Sequence, residues 1–200
     1  MSILKVQQLQ HTNGTVGLDI HNTGTVHIPG AVVQVQHSQH TSGDTFAANT
    51  ATLGHTLLTK AITTKIANSQ IYISAQVCHG VADAAANMDG YDFTMGTYRD
   101  TTLVGGSGGR NSRTQGNGPG GNTWYQTDVP FSPSRGDTYG STHDVYYKYF
   151  QFLDSPGGLV GTTYTYRIAL WNQNTHYHNR CRSNSSGGGI STLTLMEIAP

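Results

Sequence analysis

The sequence predicts an all-β chain, a sandwich or barrel of about eight strands behind a short N-terminal extension. Three observations predict it. Helical composition is confined to one short stretch, Val81 to Met88, which is below the length a helix usually needs. β-branched and aromatic residues gather in short runs, as strands prefer. Gly, Asn and Ser punctuate the chain between those runs. Two hundred residues suit one domain with an extension, and a body of ~170 residues buries a core without staples.

Residues 1–30 read as a separate region. Leu4, Val6 and Leu9, then Leu18 and Ile20, then Val26 and Ile28 sit in short β-prone pieces. Asn13-Gly14 and Thr23-Gly24 separate the pieces, and Pro29-Gly30 closes them. So few apolar residues cannot make a core alone. They require a partner, so the region is read as an attachment segment, with residues 31–200 as the head domain. Within the head, strands are expected at 31–38, 57–66, 70–79, 91–99, 101–104, 143–153, 162–171 and 190–198. In the 70–79 run Ile71, Ile73, Ala75 and Val77 share one face, because strand side chains alternate. The last run is less regular, which fits a strand buried on both faces. In the run 145–152, Tyr146, Lys148, Phe150 and Phe152 take one face and Val145, Tyr147, Tyr149 and Gln151 the other. Aromatics on both faces predict a second cover, most economically another subunit.

If consecutive strands run in opposite directions, their connections alternate between two ends. The short connections 67–69, Asp100 and 154–161 then fall at the end where the chain enters, and 39–56, 80–90, 105–142 and 172–189 fall at the other. Loops on a rigid scaffold are where binding residues concentrate. The segment 105–142 is rich in Gly, Ser and Asn, yet it carries Trp124, Tyr125, Phe131 and Tyr139, which flexible linkers rarely do. Trp124, Tyr125 and Tyr139 would offer apolar faces to sugar rings, with Arg110, Arg113, Asn117 and Asn122 as donors. These seven are the candidate receptor-binding residues.

Charge narrows the partners. There are 11 basic and 11 acidic residues, a net charge of zero, and 11% charged residues in all, against the usual ~25%. Phosphate neutralisation needs clustered Lys and Arg, so nucleic acid is excluded. Near-zero net charge favours association. No apolar run approaches the ~20 residues of a membrane span, and the first residues lack a signal peptide's basic and apolar regions. The expectation is a protein made in a cytoplasm, with no membrane insertion. Cys78 and Cys181 are too few for a disulfide framework, leaving two free thiols or one bridge open.

Catalytic motifs do not survive inspection. Gly105-Gly106-Ser107-Gly108-Gly109 fits G-x-S-x-G, but no helix-forming run follows, as a nucleophile elbow requires. Gly116, Gly118 and Gly121 fit G-x-G-x-x-G with Pro119 intruding. A glycosidase needs two converging carboxylates. The sole Glu, Glu197, lies in an expected core strand, where Arg99 or Arg167 is a natural partner. Asp83, Asp89, Asp92 and Asp100 lack EF-hand spacing. The chain is therefore read as no enzyme and as needing no cofactor. One metal candidate stands. His176 and His178 point the same way on a strand, and in a trimer three such pairs on the axis would supply six nitrogens. Ordinary core or surface histidines are the competing reading.

Three stretches carry a resemblance. The opening Ile3-Leu4-Lys5-Val6-Gln7-Gln8-Leu9-Gln10 with Asn13-Gly14-Thr15, Leu18-Asp19-Ile20 and Gly24-Thr25-Val26 is one. Tyr91-Asp92-Phe93-Thr94-Met95 to Tyr98-Arg99-Asp100 with Leu103-Val104-Gly105 is the second. The third is Phe152-Leu153-Asp154-Ser155-Pro156, Tyr164-Thr165-Tyr166 and Ser191 to Ile198. Together they resemble the short fibre-like virion proteins of marine phages, cyanophages especially. The resemblance implies a homotrimeric jelly-roll head, similar to tumour-necrosis-factor-like or tail-fibre tip domains, located in the virion. It implies a tail-fibre or head-fibre appendage, attached to other virion proteins through residues 1–30 and binding a host surface polysaccharide. A capsid decoration or cement protein, and a free carbohydrate-binding module, are the alternatives. The resemblance supplies no catalytic residue.

Overall fold

A computed structural model of the chain describes residues 8–10, 12–13, 16–20, 26–47, 54–81, 93–108, 146–172, 175–180 and 188–200. Among them every regular element is a strand, and no helix is long and apolar enough to cross a membrane. The strands are β1 Gln8–Gln10, β2 Val16–Ile20, β3 Val26–His27, β4 Val32–His40, β5 Asp44–Phe46, β6 His55–Thr63 and β7 Gln70–Val81. Then come β8 Phe93–Arg99, β9 Thr102–Gly108, β10 Tyr146–Asp154, β11 Thr163–Asn172, β12 His176–His178 and β13 Ser191–Ile198. All pairings are antiparallel. Each of the eight strands expected in 31–200 has its counterpart. The sequence reading missed β5 and β12, because three residues carry too little periodicity to register.

β1, β2 and β3 form their own three-stranded sheet. Its register sets Leu9 opposite Leu18 and Ile20 opposite Val26. The rest makes two sheets. In the first, β7 pairs with β10 along one edge and with β13 and β12 in succession along the other. β13 pairs onward with β4, and β12 with β5. The second sheet runs β6-β11-β8-β9. The core lies between these sheets. Ile71, Ile73, Ala75 and Val77 share the inner face of β7, as their alternation predicts. Leu193, Leu195 and Phe150 extend that layer, and Leu57, Leu58, Ile62, Met95, Tyr166, Ile168 and Leu170 face it.

β13 corrects one expectation. It is not buried on both faces but alternates strictly, with Ser191, Leu193, Leu195 and Glu197 inward. The pattern is hidden in the sequence because two of its inward residues are polar. Glu197, fully buried, pairs with neither Arg99 nor Arg167. Its carboxylate accepts the backbone N–H of Lys65 at 2.8 Å and of Ile66 at 3.0 Å, and the Gln34 side-chain amide at 2.6 Å. Gln34 Nε2 also donates to the Thr63 carbonyl at 2.6 Å. Glu197 thus ties the turn after β6 to the first sheet by satisfying amides that a strand cannot reach. Arg99 instead binds Asp154 at 2.6 Å, which also accepts the Tyr166 hydroxyl at 2.6 Å. Arg167 lies over the Tyr98 ring at 4.6 Å.

Strand directions give the head two unlike ends. The entry end holds Gly30, whose N–H donates to the Ala199 carbonyl. It also holds the turn after β6, the turn at Asp100 and residues 155–162. These are stitched together: Thr64 bonds Thr162 and Gly161, Asn68 bonds Gly158, and Asp100 bonds Thr165 both ways. The strand ends that lead into 48–53, 82–92, 109–145 and 173–174 all lie at the opposite end, as the antiparallel registers require.

Replacing Glu197 by Ala leaves the Ile66 amide buried without an acceptor and removes the acceptor of the Lys65 amide. Unfolding in urea should show a loss of roughly 3 kcal/mol. A loss under about 1 kcal/mol would mean that this carboxylate does not hold the turn.

Candidate functional site

Toward the end opposite Gly30 the apolar core gives way to a polar cluster. His40 on β4, His55 on β6, His79 on β7 and His176 and His178 on β12 converge there with Asp44 and Phe46 on β5. The convergence follows from two interrupted strand lines. β12 continues the line of β13 along β7, and the chain leaves that line at Asn179 and rejoins it at Gly189. β5 likewise continues β4 after the break at 41–43. Asn179 has a left-handed φ of 56°, a conformation that Asn tolerates. Its N–H donates to the Cys78 carbonyl at 3.0 Å, and its own carbonyl accepts from Gly188 and Gly189. Gly189 is required: a Cβ there would lie 2.0 Å from the Cys78 sulfur. Cys78 is a buried free thiol; Cys181 lies outside the described residues.

Side-chain hydrogen bonds then fix the chemistry. The Asn179 amide nitrogen donates to the carbonyls of His40 at 2.8 Å and Ser42 at 3.3 Å, holding the β4–β5 break. Its oxygen is left to accept, and it takes the Ser191 hydroxyl proton at 2.6 Å. The Ser191 oxygen in turn accepts the Cys78 N–H at 2.9 Å. His178 Nε2 also lies 2.9 Å from that oxygen. Since the hydroxyl proton is already given to Asn179, Nε2 must be the donor. Burial pushes the His178 pKa down to about 4, with the nearby His40 adding to the effect and Asp44 opposing it. His178 is therefore neutral near pH 7, protonated at Nε2 and bare at Nδ1.

The sequence placed His176 and His178 on one face of a strand, and they are: both are buried, with Tyr177 between them less so. The structure does not pair them on an external axis, which would need both rings at the surface. His176 stacks on His79 at 5.1 Å, and His178 stacks on His40 at 4.9 Å. Burial, with His178 and His55 nearby, pushes the His176 pKa down to about 3. His79 is held well below the usual value by burial, then by His176, Lys148 and His178. Among the described residues, the group able to hold a metal is His40, Asp44 and His178. The sequence signal for it was faint: a His and an Asp four apart, joined to β12 only by the break at 41–43.

Other candidates fall elsewhere. Ser107 of the G-x-S-x-G match lies within β9, paired with Met95, so the motif forms no strand-to-helix turn. Arg110, Arg113, Asn117, Asn122, Trp124, Tyr125 and Tyr139 lie outside the described residues, as do Leu4 and Val6. Of the residues expected to mediate attachment, Leu9, Leu18, Ile20 and Val26 lie on β1–β3, and Ile28 is exposed.

Three depressed histidines link stability to acid. The unfolded chain protonates them near pH 6.5, while the folded chain resists until far lower pH. Their contribution is fully present above about pH 6.5 and is lost progressively as pH falls toward 4. With a chelator present, the melting temperature should drop steadily over that window. A flat profile between pH 7.5 and 4.5 would contradict the burial of neutral imidazoles.

No known protein family and no curated protein matches the chain. Among solved structures it is similar to "Structure of infectious bursal disease virus Gt strain", at 9% identity and a TM-score of 0.36, over 90% of this chain and 42% of that one. The corresponding Gx strain structure matches at 10% identity and a TM-score of 0.35, over 90% and 41%. The chain thus spans less than half the length of either.

Proposed function

We propose that this chain is a non-enzymatic structural component of a virion. It is an appendage that holds on through residues 1–30 and presents a homotrimeric jelly-roll head to the host surface. The observation that carries this reading is the polarity of the head. The chain enters at a compact, cross-stitched end, and the strand ends leading into the long segments lie at the other. A base and an elaborated tip suit a protein that is fixed at one end and makes contact at the other. Strand order supports the jelly roll. Counting only the eight long strands, one sheet orders them first, eighth, third, sixth, and the other second, seventh, fourth, fifth. That interleaving is what two Greek keys produce.

The outer face of the first sheet supports the trimer. Val35, Met196, Tyr72 and Leu153 lie directly opposite one another in a row across its strands. Val35 is 52% exposed and Leu153 49%. Tyr147 and Tyr149 continue the apolar surface along β10 and are also exposed. Their strand-mates Phe150 and Phe152 pack inward. A closed symmetric assembly would cover this face with its own copy. Host polysaccharide is the proposed ligand of the tip, through segment 105–142.

Light scattering of the full chain at micromolar concentration should give three times the 21.5 kDa chain mass. Deleting residues 1–30 should leave a head that folds but does not join particles. A monomer would refute the assembly, and particles that retain the truncated head would refute the attachment role. If particles lacking the protein adsorb to cells normally but lose heat resistance, it decorates the capsid instead.

A further inference from the structure

We propose that His178 Nδ1, His40 Nε2 and the Asp44 carboxylate bind one divalent transition metal per chain, zinc above all. The inference is independent of the virion reading. Its starting point is an electrostatic mismatch. His178 Nδ1 is buried and has no hydrogen-bond partner, and an Asp44 oxygen lies 3.6 Å from it. A bare lone pair facing a carboxylate oxygen is repulsive unless a positive charge lies between them. A proton on Nδ1 would serve, but it would make an imidazolium in a site that is 1% exposed. A metal ion serves better, because it draws on both lone pairs at once.

The geometry is close to what is needed. Ligand atoms of His40, Asp44 and His178 all lie within 4.8 Å of one another. Zinc bonds of ~2.0–2.2 Å in a tetrahedron place ligand atoms ~3.3 Å apart. The His178–Asp44 separation already suits this. His40 Nε2 sits 2.5 Å from Asp44 as a hydrogen-bond partner, so that contact must open by just under ~1 Å to admit the ion. The His40 ring is also parallel to that of His178, within 5°, and must turn out of the stack. Both movable groups are part exposed, His40 at 35% and Asp44 at 39%, while the immobile ligand is the buried one. His40 would take the Nδ1–H tautomer, leaving Nε2 for the metal.

The supporting hydrogen bonds match those of built sites, in which a metal-binding His donates its other ring N–H to a fixed acceptor. Here His178 Nε2–H donates to Ser191. Asn179 holds Ser191 and the His40 carbonyl together, so one residue positions both imidazoles. Two nitrogens and one carboxylate suit zinc, cobalt, nickel or copper, and not calcium, which takes six to eight oxygens. Three protein ligands leave a fourth position for water or an incoming ligand.

The test is a Co²⁺ absorbance titration and a Zn²⁺ calorimetric titration of the chelator-stripped full chain. The expected result is one ion per chain and a visible d–d band. His40→Ala and Asp44→Ala, at part-exposed positions, should fold and lose at least tenfold in affinity. Ser191→Ala should weaken binding ~10–100-fold through the orientation of His178. His37→Ala, at an exposed position on the opposite face of β4, should bind as the natural chain does. Three results would each overturn the site: no ion bound at millimolar metal, one ion per three chains, or unchanged affinity in the His40 and Asp44 variants.

Discussion

A serine hydroxyl has one proton and two lone pairs, and Ser191, fully buried, uses all three on protein groups. Much of the head's far half follows from that valence. The proton goes to Asn179, one lone pair takes the Cys78 amide and the other takes His178. Asn179 then has no choice but to donate its amide hydrogens to the carbonyls at the β4–β5 break. Two strand lines that the sequence interrupts are thereby held in one sheet. The register is closed by polar contacts where the apolar core has ended.

The two ends of the head are stabilised by different physics. At the entry end Glu197 gathers backbone amides and short turns bond to one another. At the other end imidazoles replace aliphatic side chains. Burial keeps His79, His176 and His178 neutral, and each neutral ring has one donor and one acceptor to place. A layer of neutral histidines packs nearly as a core does, but it leaves lone pairs aimed inward. An aliphatic core could not offer such groups to an ion, and an exposed His cluster could not hold them in fixed orientation.

The main strands were legible because their apolar faces alternate, as Ile71, Ile73, Ala75 and Val77 do. The order of connections was legible too, since antiparallel pairing leaves little freedom. β13 was misread because Ser191 and Glu197 occupy inward positions usually given to aliphatics. The partner of Glu197 was misjudged for a related reason: backbone amides leave no trace in a sequence, whereas arginines do. His176 and His178 stood out through their spacing. Their true neighbours did not, because His40 and Asp44 reach β12 only through a three-residue break whose geometry Asn179 sets from more than a hundred residues away. A site assembled across two strand lines by a single buried amide has no local signature.

The tautomer of His178 is the point on which this account rests, and long-range proton–nitrogen NMR of the metal-free, histidine-labelled chain reads it directly. The account predicts a signal with Nε2 protonated and Nδ1 bare at pH 7, lost in a His178→Gln variant and displaced in Ser191→Ala. A His178 ring protonated at Nδ1, or at both nitrogens, would contradict it.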